Sequence, residues 1–262
     1  MAYSNFFVLW TVTFLILGPL SFWLLRGPRF LWGPLFLTPF LGVLYESFRA
    51  LTPRQDVAIA SASFFAILLG FIGALVCFYS MYYFTLPQQK KFFPFFFLFS
   101  GSMLGVLLSD NIFIFYMFWE LTSLTSFLLI GFDFSQNTAR KAARQALIVS
   151  VAGGLCLLAA LLLLNLHTGS FSISEIINFK GTLPNKTTIM ILLILAAMTK
   201  SAQFPFHFWL PEAMTAPTPA SCFLHSATMV KLGVYLLITV SPLFIGDLTW
   251  TVFLCAIGIV TL

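Results

Sequence analysis

The chain has 262 residues, of which 60% are hydrophobic and only 8% are charged, and its mean hydropathy is +1.00. A soluble domain does not need this composition, so a soluble enzyme and a nucleic-acid-binding protein are both excluded. Because a membrane-spanning helix takes about 20 residues, the chain has room for roughly eight or nine spans. The net charge of +5 is therefore interpreted as a signal of how the chain is oriented in a membrane.

Apolar runs predict an all-α, polytopic transmembrane protein. The predicted spans are residues 6–25, 31–45, 57–84, 92–108, 112–132, 146–166, 188–210 and 220–240. A ninth span begins near Leu248. Pro34 and Pro39 weaken the second span as a regular helix, and Gly153 and Gly154 soften the sixth.

The connections between spans carry three further expectations. Residues 88–91 and 133–144 are predicted to be polar loops. Asp110, just before the fifth span, is expected to cap that helix at its N-terminus. Residues 172–175 predict a short surface helix with a weak capping box.

Lysine and arginine are unevenly distributed between alternate connections. The odd-numbered connections hold Arg26, Arg29, Lys90, Lys91, Arg140, Lys141 and Arg144, and the even-numbered ones hold Arg49, Arg54, Lys180 and Lys186. The positive-inside rule places the odd connections in the cytoplasm and the N-terminus outside. No basic segment precedes the first apolar run, so we interpret that run as a permanent helix of a multi-pass protein of the cell (inner) membrane.

The seventh predicted span is broken and contains a lysine. Lys200 lies two residues after the end of the apolar run 189–198, and Pro205 and Pro211 come next. A proline removes a backbone donor, and in lipid the freed groups must be satisfied by protein or by a water-filled cavity. A lysine beside such a break indicates an ion pathway. The alternative is a lysine whose long side chain extends to the membrane surface.

Glu120 lies near the middle of the fifth predicted span, where a carboxylate is unfavourable unless it is paired or hydrated. Tyr116 and Ser123 are one turn away on the same helix face. Lys200 is a candidate partner, and a Glu–Lys pair that separates and re-forms would act as a proton switch. The alternative is a structural acid that holds helices together.

His225 and Lys231 share the eighth predicted span, and Thr228 lies three residues from each. The threonine hydroxyl is expected to bridge them or to hold a water between them, and histidine suits a proton relay near neutral pH. The alternative for His225 is a satisfied core histidine. His207, between the two prolines, is either an accessory protonatable group or a cap for a helix fragment.

The polar loops contain no glycine-rich nucleotide loop, no Ser/His/Asp arrangement and no paired carboxylates. The four cysteines stand singly in apolar segments, so zinc, iron–sulfur and disulfide sites lack support. We therefore expect no covalent catalysis, no metal and no redox cofactor, and we interpret the chain as one component of a transporter.

Ordered segments of the chain resemble the antiporter-like membrane subunits of respiratory complex I, membrane-bound hydrogenases and Mrp-type multisubunit cation/proton antiporters. The segments are FWELTS at 118–123, SFLLIGF at 126–132, KSAQFPFHFWLP at 200–211 and HSATMVK at 225–231. The resemblance covers about residues 109–237. Within the family, FPFHFWLP and the lysine after HSATMV look most like the large A-type subunit of Mrp antiporters.

The resemblance implies roles for individual residues. Glu120 would be the acid of an ion pair, Lys200 the switching lysine, and His225 and Lys231 a relay towards the next half-channel. The implied function is that of a membrane subunit of a multisubunit Na⁺/proton antiporter, whose partners are other membrane subunits, protons, monovalent cations and the lipid bilayer. The alternatives are a proton-pumping subunit of a complex I-like NADH:quinone oxidoreductase or membrane hydrogenase, and a non-conducting, truncated membrane scaffold.

Relatives of this kind contain two inverted helical repeats, and we expect this chain to correspond to the N-terminal portion with the first repeat only. Residues 1–91 would be leading transmembrane helices, residues 92–240 the first antiporter-like repeat, and residues 241–262 the start of a further helix. A split-gene product, a truncated fragment and a remnant are all compatible with this organisation. The segment 54–56 lacks the Asp-Gly-Leu-type helix entry that the resemblance leads us to expect.

Overall fold

The computed structural model describes residues 5–25, 29–50, 57–179 and 181–262. These residues form α-helices joined by short turns, and the β-type pairing among them is an isolated bridge between Asn111 and Ser172. The helices are α1 (Asn5–Leu24), α2 (Arg29–Ala50), α3 (Val57–Tyr83), α4 (Leu86–Leu108), α5 (Ile112–Ile130), α6 (Asn137–Thr168), α7 (Ile173–Ile177), α8 (Lys186–Lys200), α9 (Trp209–Ala213), α10 (Thr218–Cys222), α11 (Met229–Val240) and α12 (Leu248–Thr261). The all-α fold class is confirmed.

Five stretches of the described helices are long and apolar enough to cross a membrane. They are Ala60–Tyr83, Leu86–Leu108, Ile112–Ile130, Asn137–Thr168 and Thr218–Phe244. Val8–Leu24 and Leu248–Thr261 are shorter apolar helices. The polytopic helical membrane protein is confirmed, and the total of eight or nine spans stays a prediction.

Two helices begin more than one turn before the predicted spans. α4 begins at Leu86, so the predicted loop 88–91 is wrong, and the Thr85 amide donates to Gln88 Oε1 over 3.0 Å in a capping box. α6 begins at Asn137, so most of the predicted loop 133–144 is helical. Both helices include the charged and polar residues of these segments. Side-chain polarity therefore did not mark where either helix begins.

α2 continues through Pro34 and Pro39, which we expected to weaken it. Because proline has no amide hydrogen, Pro39 leaves the carbonyl of Leu35 without its usual helical donor. The hydroxyl of Thr38 donates to that carbonyl over 2.8 Å. A side chain thus satisfies the freed backbone group, as a membrane helix requires.

Asn111 caps α5, and the prediction that Asp110 does so is wrong. Asn111 Oδ1 accepts from the amide of Phe113 over 2.9 Å. Asp110 instead accepts from the hydroxyl of Ser172 and the amide of Ser174, over 2.7 and 2.8 Å. It thereby ties the α4–α5 turn to α7. The short helix predicted at residues 172–175 is confirmed by α7 itself, Ile173–Ile177.

The helices pack so that α5, α6 and α8 lie side by side. α1 packs on α4, α2 on α3, α4 on α5, α5 on α6, α6 on α8 and α8 on α11, and α3 contacts α11. Phenylalanine rings fill the core between α1, α2 and α4, for example Phe14 and Phe40 with ring centroids 4.7 Å apart. Glu120 and Ser123 lie on α5 and Lys200 ends α8, so these three residues belong to the group formed by α5, α6 and α8.

Candidate functional site: a buried lysine at a helix break

Lys200 is the last residue of α8 and is fully buried. Its Nζ donates to Ser123 Oγ on α5 over 2.6 Å and lies 5.3 Å from the ring centroid of Trp119. The side chain therefore extends into the bundle and not towards the membrane surface. A hydroxyl and an aromatic face give an ammonium group a polar setting without an obligatory counter-ion.

The helix break after Lys200 is supported by a buried indole. The chain turns at residues 201–205, then forms a short 3₁₀-helix (Phe206–Phe208) and α9. Trp209 is fully buried, and its Nε1 donates to the carbonyl of Thr199 over 3.0 Å. This carbonyl belongs to the last turn of α8, where backbone acceptors lose their helical donors. Sequence reasoning missed this role of Trp209, although a tryptophan one turn beyond a proline break was a usable signal.

Glu120 lies on α5, is half-buried, and is close enough to Lys200 for their charges to interact. The expected Glu120–Lys200 ion pair is nevertheless not closed. The ion pairs within 4.0 Å that the described residues form are Arg49–Glu46 and Lys186–Asp247. Glu120 Oε1 is buried and has no hydrogen-bond partner. In this structure the ammonium rests on Ser123, one turn along α5 from the carboxylate.

Glycines on α6 make room for the site. A Cβ atom on Gly154 would lie 1.8 Å from Glu120 Oε1, and one on Gly153 would lie 1.8 Å from Thr199 Oγ1. Small residues let membrane helices approach each other closely. The glycine pair thus shapes the contact of α6 with α5 and α8, a role that we did not infer from the sequence. The signal was available, because adjacent glycines inside an apolar helix are typical of a close contact.

Several buried polar atoms on α5, on α6 and in the turn after α8 have no hydrogen-bond partner in the described part of the chain. Among the described residues these include Trp119 Nε1, Glu120 Oε1, Ser150 Oγ and Gln203 Oε1. Ser150 precedes Gly153 and Gly154 by one turn of α6, so the three share a helix face. Buried polar groups of this kind are normally satisfied by ordered water. The arrangement therefore suits a hydrated polar axis along α5, α6 and α8.

His225 lies in a π-helical turn, Phe223–Thr228, between α10 and α11. It is half-buried near the backbone of Ala213, and its ring centroid is 6.3 Å from that of Trp209. Neither ring nitrogen makes a hydrogen bond to the described part of the chain. π-helical turns occur frequently at functional sites. Because Trp209 also donates to the carbonyl of Thr199, it connects the surroundings of His225 to the last turn of α8.

Thr228 and Lys231 are not placed as we expected. The Thr228 hydroxyl donates to the carbonyl of Phe223 over 2.7 Å, so it satisfies the π-helical turn and does not bridge His225 and Lys231. Lys231 is exposed on α11 and lies apart from the buried cluster. The π-turn rotates the start of α11 relative to a regular helix, so three-residue spacing no longer places these side chains on one face.

His207 and Pro205 lie in the broken segment itself. His207 is exposed, and its ring stacks on that of Phe204 with centroids 5.7 Å apart. Pro205 is exposed in the turn before the 3₁₀-helix. Of the predicted site residues, the structure therefore brings Glu120, Ser123 and Lys200 together.

The known proteins to which the chain is similar in sequence include antiporter subunits. Residues 109–262 match the family described as NADH:quinone oxidoreductase/Mrp antiporter, transmembrane. Na(+)/H(+) antiporter subunit A1 of Staphylococcus aureus strain JH9 is 46% identical over 202 residues, which are 76% of this chain and 25% of the relative. The same protein from strain Newman matches equally well. The chain thus spans about a quarter of the length of these curated relatives.

Solved structures share the fold. A chain of the Mrp complex from Dietzia sp. DQ12-45-1b is 33% identical with a TM-score of 0.77, over 88% of this chain and 27% of that one. A chain of the membrane-bound sulfane sulfur reductase, an archaeal respiratory membrane complex, has a TM-score of 0.78 over 95% of this chain and 56% of its own; at 19% identity this likeness concerns the fold alone. The family match extends over more than half of the chain, and we conclude that the chain belongs to the NADH:quinone oxidoreductase/Mrp antiporter transmembrane family.

Proposed function

We propose that the chain works as a membrane subunit of a multisubunit Na⁺/proton antiporter of the Mrp type. The similarity to the Staphylococcus aureus protein and to a chain of the Dietzia Mrp complex supports this assignment. Its partners would be the other membrane subunits of that assembly, and its substrates protons and sodium ions. We place it in the cell (inner) membrane with the N-terminus outside, as the distribution of lysine and arginine predicts.

The proton switch that we propose consists of Lys200, Ser123 and Glu120. The observation that carries it is the fully buried ammonium of Lys200, bonded to Ser123 one turn from an unpartnered carboxylate. Ser123 and Glu120 lie three residues apart on α5. Rotation of the Lys200 side chain can therefore move its ammonium from one of these acceptors to the other. Contact with Glu120 stabilises the protonated lysine, and return to the neutral hydroxyl allows the proton to leave.

The route beyond Lys200 is proposed to run through His225 towards Lys231. Trp209 contacts both the end of α8 and the ring of His225, which links the two parts of the route. Thr228 would assist by holding the π-turn open, and His207 would be an accessory group. Pro205 would maintain the helix break.

The domain organisation is part of the proposal. Residues 92–240 would act as the first antiporter-like repeat, after leading helices in residues 1–91. Residues 241–262 would begin a further helix.

A second candidate is a proton-pumping subunit of a complex I-like oxidoreductase or membrane hydrogenase. The matching family includes the transmembrane subunits of NADH:quinone oxidoreductase, which favours this alternative. The same switch residues would then respond to redox-driven changes in partner subunits. The two candidates differ in the energy source for proton movement, which is an ion gradient in the antiporter and a redox reaction in the second candidate.

The test is sodium-dependent proton movement in everted membrane vesicles from cells carrying the gene with its neighbours. Glu120→Gln is compared with the native protein and with Glu175→Gln, which changes an exposed carboxylate on α7. Loss of exchange in Glu120→Gln alone, at an unchanged amount of membrane protein, is the expected result. Unchanged exchange in Glu120→Gln would contradict the proposed switch, and no sodium-dependent exchange with the native protein would contradict the antiporter proposal. Loss of quinone- or hydrogenase-linked pumping would favour the second candidate.

A further inference from the structure

A separate cavity of about 500 Å³ lies where α5 ends and α6 begins. It is lined by Phe127, Phe134, Asn137, Arg140, Lys141 and Arg144. None of these side chains takes part in the Glu120–Lys200 site. Phe127 and Phe134 form an aromatic wall of this cavity, and Arg140, Lys141 and Arg144 form its cationic rim.

The aromatic wall depends on a glycine. The rings of Phe127 and Phe134 meet edge to face, with centroids 5.7 Å apart. A Cβ atom on Gly131 would lie 2.6 Å from the Phe134 ring, so only glycine lets this ring fold back onto the end of α5. The result is an apolar surface that opens at the end of a membrane-spanning helix.

The cationic rim is not neutralised within the described chain. Arg140, Lys141 and Arg144 occupy the first turns of α6, which has no acidic residue in its first turn. The N-terminus of a helix is the positive end of its dipole, and Arg140 and Arg144 repel each other at a spacing of four residues. No ion pair within 4.0 Å reaches these three cations in the part of the chain that the structure describes. The guanidinium of Arg140 donates to the side-chain amide oxygen of Asn137.

The acidic residue on the same connection is occupied by other groups. The Asp133 carboxylate accepts from the hydroxyl of Ser135 and from the side-chain Nε2 of Gln136, over 2.5 and 2.7 Å. These two hydrogen bonds, with a smaller contribution from Lys91, hold the pKa of Asp133 below its usual value. Lys91, in the second turn of α4, therefore lies close to this acid, whereas no ion pair within 4.0 Å joins a described acid to the three cations of α6.

We propose that this cavity binds an anionic phospholipid, with the phosphate on the arginines and an acyl chain along the phenylalanine wall. Arginine presents a planar fork of donors that matches phosphate oxygens. Basic pockets at the cytoplasmic ends of transmembrane helices are suited to acidic headgroups, and this connection is predicted to be cytoplasmic. A free phosphate would use the arginines but would leave the aromatic wall uncovered, so the wall favours the lipid.

The simpler role for these cations is to set orientation in the membrane. That role requires positive charge on the connection but no cavity and no aromatic wall. A charge-matched control separates the two roles. Lys90 and Lys91 lie on the same predicted side, carry the same charge as two arginines, and do not line the cavity.

The experiment uses the full chain purified with its bound partner proteins in detergent and stripped of loosely held lipid. Phosphatidylglycerol, phosphatidylcholine and inorganic phosphate are titrated separately, and binding is followed by native mass spectrometry and by the thermal unfolding midpoint. We expect phosphatidylglycerol to bind and to raise the midpoint of the native protein. The variant R140Q/R144Q should lose about tenfold in apparent affinity, whereas K90Q/K91Q should stay within about twofold.

A variant of the wall makes the test independent of charge. Phe134→Ser should weaken phosphatidylglycerol binding while leaving the net charge unchanged. Equal losses in R140Q/R144Q and K90Q/K91Q would overturn the proposal, because they would reflect the surface charge alone. Equal stabilisation by inorganic phosphate would overturn the proposal in favour of a free anion. Loss of a partner protein from R140Q/R144Q, without any lipid binding by the native protein, would overturn it in favour of an acidic partner segment.

Discussion

Ser123 determines where the buried ammonium of Lys200 lies in this structure. Its hydroxyl accepts from Nζ over 2.6 Å while Glu120 Oε1 stays without a partner. A neutral hydroxyl binds an ammonium less strongly than a carboxylate does. Because the two interactions differ only moderately in strength, the lysine can move between Ser123 and Glu120. Ser123 is thus as important to the proposed switch as the two charged groups.

Ser123→Ala should lower sodium-dependent proton exchange by about tenfold or more, because a hydrogen bond to a charged group contributes about 1.5–3 kcal/mol. The matched control is Ser126→Ala. Ser126 is equally buried on the same helix, but its hydroxyl donates to the backbone carbonyl of Ser123 and does not contact Lys200. Vesicle assays at equal protein amounts measure the difference, and similar rates in both variants would contradict the role of Ser123.

Lys200→Ala should abolish exchange, since no other described cation reaches Ser123. The chain should still be found in the membrane, where hydropathy and not this one residue directs it. Lys186→Ala serves as the control, because Lys186 lies at the other end of α8 and pairs with Asp247 near the helix ends. Full exchange by Lys200→Ala would show that the switch idea is wrong.

At the level of helices, α6 controls the distance between the groups of the site. Gly153 faces Thr199 and Gly154 faces Glu120, so the helix approaches α8 and α5 with backbone alone. On the far side of α8, a Cβ atom on Gly233 of α11 would lie 2.4 Å from the carbonyl oxygen of Ala197. α8 is therefore held between two helices at glycine contacts, next to the point where it ends.

Gly154→Ala should impair exchange by about tenfold or more, because the added methyl group must displace the Glu120 carboxylate and overpacking costs about 1–3 kcal/mol. Gly258→Ala is the control, since a Cβ atom there meets nothing within 4 Å on α12. Exchange rates and the thermal unfolding midpoint are measured together for both variants. If Gly154→Ala exchanged sodium for protons as fast as Gly258→Ala, the close contact would have no functional role.

At the level of the whole molecule, α6 runs from one end of the helix bundle to the other. Its 32 residues span about 48 Å, which is enough to cross a bilayer. Asp133 and Lys91 lie together at one end, whereas Asp110 and α7 lie together at the other. The cationic connection before α6 is predicted to face the cytoplasm.

Single cysteines placed at the two ends of α6 test this orientation. In a version whose four native cysteines are replaced by serine, Ser135→Cys should be labelled by an impermeant thiol reagent only in everted vesicles. Asn178→Cys should be labelled in whole cells, because it lies beyond the other end of α6. The reverse pattern would place the N-terminus in the cytoplasm, and labelling of both sites from one side would contradict the topology.

The sequence by itself determined the fold class, the approximate spans and the unusual charges. Hydropathy is a local property of a segment, and a charge within an apolar run stands out without knowledge of its neighbours. Glu120, Lys200 and the helix break at Pro205 could therefore be identified from residue order alone. The ends of α4 and α6 could not, because helical backbone continues where the side chains become polar.

Tertiary structure alone decided which groups meet. The choice of Ser123 over Glu120 as the partner of Lys200, the support from Trp209 and the contacts of Gly153 and Gly154 depend on how helices are rotated and how closely they approach. The exposed position of Lys231 follows from the π-turn before α11, which sequence spacing does not reveal. Distances between helices are set by packing across the bundle, and hydropathy along one segment does not encode them.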